Sequence, residues 1–221
     1  MKRVTIFAGH YGSGKTNISI NYALDAAKSG KSVSIADLDI VNPYFRSKDV
    51  HGMMEQHGVR FISSDYANSN VDTPALPADA YSIVADKSRY AVVDVGGDDR
   101  GALALGRYVP GILEENDYEM FFVVNKFRPL TGDSISAIEV MREIEQACKI
   151  KFTGIVNNSN IGTATTAQDV IGTAEYADEI SKLSNIPVKM TTVDKRIFDE
   201  VNGCIENVMP LTLYVQQSWQ K

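Results

Sequence analysis

The stretch Gly9-His10-Tyr11-Gly12-Ser13-Gly14-Lys15-Thr16 directly follows the apolar run Val4-Thr5-Ile6-Phe7-Ala8 and fits the pattern G-x-x-x-x-G-K-[ST] at every fixed position. It requires a buried strand to end, a glycine-rich loop to turn and a helix to start within a few residues, so it holds the chain to an architecture of strands joined by helices. A triphosphate carries concentrated negative charge that only a close, donor-rich surface can match. Gly9, Gly12 and Gly14 let consecutive backbone N–H groups approach such oxygens. The start of the helix adds its positive end, Lys15 adds a point charge for the β- and γ-phosphates, and the Thr16 hydroxyl is placed to ligate Mg²⁺. The whole loop, with His10, Tyr11 and Ser13 supplying backbone between the glycines, is therefore expected to bind a nucleoside triphosphate with magnesium.

The helix after the loop carries Ile20, Ala23, Leu24 and Ala27 on one face and stops at Gly30. Residues 3–8, 32–36, 59–63, 90–95, 119–124, 152–157 and 187–192 read as strands. They are short and nearly continuous in apolar character, as in strands covered on both faces of a parallel sheet. Between them lies a helical stripe of Ala137, Val140, Met141, Ile144 and Cys148, opened by Thr131 or Asp133 as cap. A further helix is expected from Thr166, carrying Val170, Ala174, Ala177 and Ile180 inward and ending near Leu183. This alternation predicts a three-layer α/β fold with a mostly parallel central sheet and a ligand at the carboxyl ends of its strands. Residues 63–77, rich in Ser, Asn, Asp and Pro, form a polar loop of the length that is usually functional or mobile.

With 221 residues and 44% hydrophobic content, the chain is expected to form a single domain around one sizeable core. A net charge of −6 opposes nucleic acid and anionic lipid, and no run of basic residues offsets it. Cys148 and Cys204 have no paired spacing, which fits a reduced, cytoplasmic protein, and Cys148 falls on the core face of its helix. The apolar start is too short for a signal peptide, and no segment reaches the roughly 20 apolar residues of a membrane span. The tail Leu211-Thr212-Leu213-Tyr214-Val215-Gln216-Gln217-Ser218-Trp219 has only Lys221 as a cation after it, so it is expected to pack on the domain and not on a membrane.

Two further constellations fall at strand ends. Strand two leads into Asp37-Leu38-Asp39, and a carboxylate there can orient an attacking water or hold a magnesium-bound water. Strand four ends in Asp94-Val95-Gly96-Gly97. Asp94 would hold Mg²⁺ through a water, and the Gly96 or Gly97 amide would sense the γ-phosphate, ordering the loop with triphosphate and releasing it after hydrolysis.

With these three pieces in order, nearly the whole chain resembles the MinD/ParA/CobQ-like P-loop ATPases, the deviant Walker A branch of the SIMIBI class. The resemblance rests on GHYGSGKT, on Asp37-Leu38-Asp39 as switch I and on Asp94-Val95-Gly96-Gly97 as switch II. It implies that Lys15 and Asp39 are catalytic, with Asp39 orienting water. Thr16, Asp39 and Asp94 would form the magnesium set, and Gly9 to Thr16 with Gly97 would hold nucleotide. The family's signature lysine, which reaches a partner's phosphates across an ATP-sandwiched homodimer, is replaced here by His10. Activation in trans by this residue is not expected. His10 either donates to phosphate or sits in solvent.

Asn125-Lys126-Phe127-Arg128 looks like the guanine-reading N-K-x-D, but Arg128 occupies the position that must accept hydrogen bonds from guanine. Asn158 aligns with the family asparagine that contacts adenine, so ATP is expected. The resemblance implies a nucleotide-switched ATPase that regulates or assembles a protein partner and turns over slowly without it. The alternatives are an ATP-dependent ligase or kinase similar to dethiobiotin synthetase, and a nucleotide-binding module with little hydrolysis.

Overall fold

The computed structural model describes residues 1–39, 48–62 and 78–215. Eight strands form one sheet in the order β3-β2-β4-β1-β5-β6-β7-β8. They are β1 (Val4–Ala8), β2 (Val33–Asp37), β3 (Arg60–Ile62) and β4 (Tyr90–Asp94). The other four are β5 (Tyr118–Val124), β6 (Gly154–Asn157), β7 (Val188–Asp194) and β8 (Val208–Leu211). Every pairing is parallel. The expected fold class is therefore found.

The continuous apolar strands are explained by two cores, one on each face. Val4, Ile6 and Ala8 of β1 enter one cluster with Val93, Phe122, Met141 and Ile180, while Phe7 enters the other with Ile18, Leu24, Val92 and Val123. Helix α1 (Lys15–Lys28) and α2 (Lys48–Gln56) feed the second core. The first is covered by α4 (Asp99–Gly106), α5 (Val109–Glu115), α6 (Ser134–Cys148) and α8 (Ala174–Ser184), with the short α3 (Ser82–Ala85) at its edge. Cys148 is fully buried there, as its place on the stripe implied.

One alternative left open by the sequence is resolved, and two local departures from it have physical causes. Asp133, not Thr131, caps α6, accepting from Ser136 N at 2.9 Å. The single helix expected from Thr166 is two, α7 (Ala167–Ile171) and α8, although the Thr166 cap forms together with a reciprocal bond from Asp169. At the break, the Thr173 hydroxyl donates to Val170 O at 2.7 Å and accepts from Asn157 Nδ2 at 2.9 Å, which ties the chain to the end of β6. Strand β8 escaped notice because it contains Pro210, which only an edge strand tolerates. The remaining helix, α9 (Phe198–Val201), closes a small cluster of Ala167, Val170, Val193 and Val201.

The polar loop at 63–77, the switch segment beyond Asp39 up to Phe45, and the tail from residue 216 lie outside the described residues. Residues 212–215 do pack on the domain, on α1.

Candidate functional site

Strand β1 lies inside the sheet, with β4 on one side and β5 on the other, so the loops after all three open on one edge. This is where the chain reverses its direction across the sheet and where open α/β sheets bind ligands. Gly14, at φ 89°, stands as the N-cap of α1 without a side-chain cap. It is required by a close approach as well as by its φ, because a Cβ there would collide with Asn158 Nδ2. The first amides of α1 are thus left facing the loop.

Lys15 is buried, and its ammonium donates to His10 O at 3.1 Å, closing the loop on itself. Burial lowers its pKa, and the nearby carboxylates of Asp94, Asp39 and Asp98 oppose that shift. The Thr16 hydroxyl donates to Asp94 Oδ2 at 2.7 Å. Burial pushes the Asp94 pKa up to about 6, with a further push from Asp39, against the stabilising Lys15 charge and the Thr16 bond. Asp94 Oδ1 is buried with no hydrogen-bond partner among the described residues, and Ser13 Oγ is in the same condition. Such orphaned oxygens are rare in native proteins and call for a ligand, water or ion. A hydroxyl and a carboxylate make an all-oxygen donor set of the type that Mg²⁺ takes, so Thr16 and Asp94 fit that ion.

Asp37 and Asp39 have different surroundings. The Asp37 carboxylate accepts from Asp39 N at 2.9 Å, and Leu38 N donates to Asp94 O at 2.8 Å, so Asp37 shapes the turn. Asp39 lies on the cleft with Lys15, Thr16 and Asp94. Gly97 lies against the loop, where a Cβ would be 2.5 Å from Tyr11 N. Tyr11 is exposed on the cleft. The His10 ring bonds to the neighbouring Tyr11 O at 3.0 Å and lies on the exposed side of the loop.

Asn158, expected to contact adenine, lines the cleft beside the loop. Its Nδ2 donates to Ser13 O at 2.6 Å and its Oδ1 accepts from the Thr192 hydroxyl at 2.7 Å, so both ends of the amide brace the loop against β7. Sequence reasoning passed over Asn125, whose side chain donates to Asn160 O and accepts from Phe127 N and Asn160 N, locking the loops after β5 and β6 together. It also passed over Arg128 as a site residue, considering it only as a missing acid. The Arg128 guanidinium reaches Gly12 O at 3.0 Å. From Lys15 the cleft continues past Arg128 to Asn160 after β6, Asp194 at the end of β7, and Leu213 and Val215 in the segment after β8.

Solved structures of similar fold were found. Chloroplast FtsY from Physcomitrella patens superposes with a TM-score of 0.57 at 20% identity, covering 86% of this chain and 58% of that one. The fold is that of a P-loop NTPase. FtsY from Mycoplasma mycoides gives 0.55 at 18% identity, covering 87% and 60%. The signal recognition particle 54 kDa protein from Aeropyrum pernix K1, in complex with GDP, gives 0.54 at 13%, covering 85% and 40%. The chain thus spans less than two thirds of each of these three structures. No protein-family model matches the sequence, and no curated protein matches it. Among the described residues no helix is long and apolar enough to cross a membrane.

Proposed function

We propose that the chain is a single-domain, Mg²⁺-dependent ATPase of MinD/ParA/CobQ-like type that works as a nucleotide switch for a partner protein. The observation that carries this reading is the 2.7 Å bond from Thr16 Oγ1 to Asp94 Oδ2 beside buried Lys15, with the other Asp94 oxygen buried and unpartnered. Thr16 and Asp94 would hold the cation through hydroxyl and water. The ion would shield the triphosphate and fix its geometry. Lys15 would turn from His10 O to the phosphates, and Asp39 would orient the attacking water.

ATP is favoured over GTP because Asn125-Lys126-Phe127-Arg128 lacks the acid of N-K-x-D, the group that accepts from guanine's N1 and N2. Asn158 lines the cleft and spends one amide hydrogen on Ser13 and one oxygen lone pair on Thr192, which leaves one of each for the edge of adenine. A nucleotide-dependent homodimer fits the exposed apolar side chains Tyr11, Phe127, Leu130 and Ile161, which follow β1, β5 and β6 at the edge that carries the loop. With His10 in place of the signature lysine, turnover would be slow until a partner acts. The free cysteines suit a reducing, cytoplasmic setting.

The test is ATP hydrolysis by the purified protein with Mg²⁺, together with its mass in solution with ADP and with a non-hydrolysable ATP analogue. Slow hydrolysis with a dimer formed only on the analogue is expected. Tight binding without hydrolysis or change of mass would replace the switch by an enzyme that uses ATP on a separate acceptor.

A further inference from the structure

Lys15 is the only lysine in the loop, and it is buried. The position where the resembled family carries a second cation is His10, whose ring bonds to Tyr11 O and does not line the cleft. A triphosphate held by backbone amides and one ammonium would be short of positive charge on its exposed side.

Arg128 stands at that side, on a turn built to hold it. Its own N–H donates to Asn125 O at 3.1 Å, its carbonyl accepts from Thr131 N at 3.1 Å, and the Thr131 hydroxyl donates to Asn125 O at 2.7 Å. From this base the half-buried side chain reaches across to the loop, where Nε donates to Gly12 O at 3.0 Å. That bond uses one of five guanidinium donors and leaves the others beside the cleft that Lys15 and Thr16 share. Arg3, Arg89, Arg142 and Arg196 each meet a carboxylate, and Arg107, which no described carboxylate pairs, is exposed to solvent. Among the described residues no carboxylate pairs with Arg128. A cation held in place without a counter-ion, against a loop whose amides face an anion site, is arranged for an anionic ligand.

We propose that Arg128 binds the phosphates of the nucleotide, supplying from within the same chain the second fixed cation that the loop lacks at His10. This rests on the nucleotide-site reading above. A guanidinium can also meet acceptors on a base. The bond to Gly12 O puts this one on the loop itself.

The experiment titrates the full chain with Mg²⁺-ATP, with tripolyphosphate and with adenosine and guanosine, by calorimetry at two salt concentrations. Arg128→Ala is expected to weaken ATP and tripolyphosphate by about tenfold or more and to flatten their salt dependence, with nucleosides unaffected. Arg128→Lys is expected to recover part of the loss. Should Arg128→Ala fail to fold, Arg128→Gln removes the charge while keeping a donor for Gly12 and carries the same test. Unchanged tripolyphosphate affinity in a folded, uncharged variant would overturn the proposal, as would a loss confined to nucleosides, which would make Arg128 a base contact. Wild-type protein that binds neither ATP nor tripolyphosphate would instead overturn the nucleotide reading on which it rests.

Discussion

Thr16 Oγ1 donates to Asp94 Oδ2 at 2.7 Å across 78 residues of sequence, joining the first turn of α1 to the end of β4. The bond places a hydroxyl and a carboxylate where one divalent cation can meet both, and the pair occupies the contacts that such an ion would take. Asp94→Asn removes the charge and keeps the size. Nucleotide affinity measured with Mg²⁺ is expected to fall by about tenfold or more, towards the value seen with EDTA, since a charged partner contributes more than about 1.4 kcal/mol. Equal Mg²⁺ dependence in Asp94→Asn and wild type would remove Asp94 from the cation site.

Lys15 and Asp39 are expected to separate binding from chemistry. Lys15→Ala should abolish measurable nucleotide binding, because the buried ammonium is the loop's own countercharge. Asp39→Ala should bind nucleotide normally and lose turnover by about 10²-fold or more, the scale of a positioned base. Single-turnover hydrolysis beside equilibrium binding measures both. Normal hydrolysis by Asp39→Ala would make Asp39 part of the turn only.

Glu145 gives a stability prediction with a definite sign. Burial raises its pKa, but the bonds from Lys151, Phe152 N and Arg142 outweigh it, so its carboxyl lies below the ordinary glutamate range. A depressed carboxylate stabilises the fold above its unfolded pKa and loses that contribution as pH falls through the folded value. Glu145→Gln keeps an oxygen for Phe152 N but replaces the one to which Lys151 and Arg142 donate by a donor; because those two cations are largely exposed, a cost of about 1 kcal/mol is expected near neutral pH. The difference should shrink in acid below about pH 4. Urea unfolding at pH 7 and at pH 3 checks it, and an equal difference at both would contradict the assignment.

Asn21 and Asn17 hold the chain that follows β8. Asn21 accepts from Thr212 N and donates to Thr212 O, and Asn17 accepts from Tyr214 N and Val215 N while donating to Val215 O. Asn21→Ala leaves Thr212 N without its partner, and a loss of about 1–3 kcal/mol is expected. Amide exchange should speed up first at Thr212 to Val215. Leu213 and Val215 line the cleft, so affinity for whole nucleotide should fall further than affinity for tripolyphosphate. Exchange unchanged in this segment would show that other contacts hold it.

The fold class, and the strand, glycine turn and helix start around Gly9 to Thr16, could be read from the residue order. Both are written in short-range patterns: three glycines, Lys15 and Thr16 within one loop, and apolar strands that alternate with amphipathic helices. Asp39 and Asp94 were legible for the same reason, as carboxylates at strand ends. The tertiary structure alone decided what closes and braces the site. Asn158 meets Ser13 across 145 residues, Arg128 meets Gly12 across 116, and Asn17 meets Val215 across 198. No local period encodes a contact between residues so far apart. It exists only once the parallel strands, ordered β4-β1-β5-β6-β7-β8, bring their ends to one edge of the sheet.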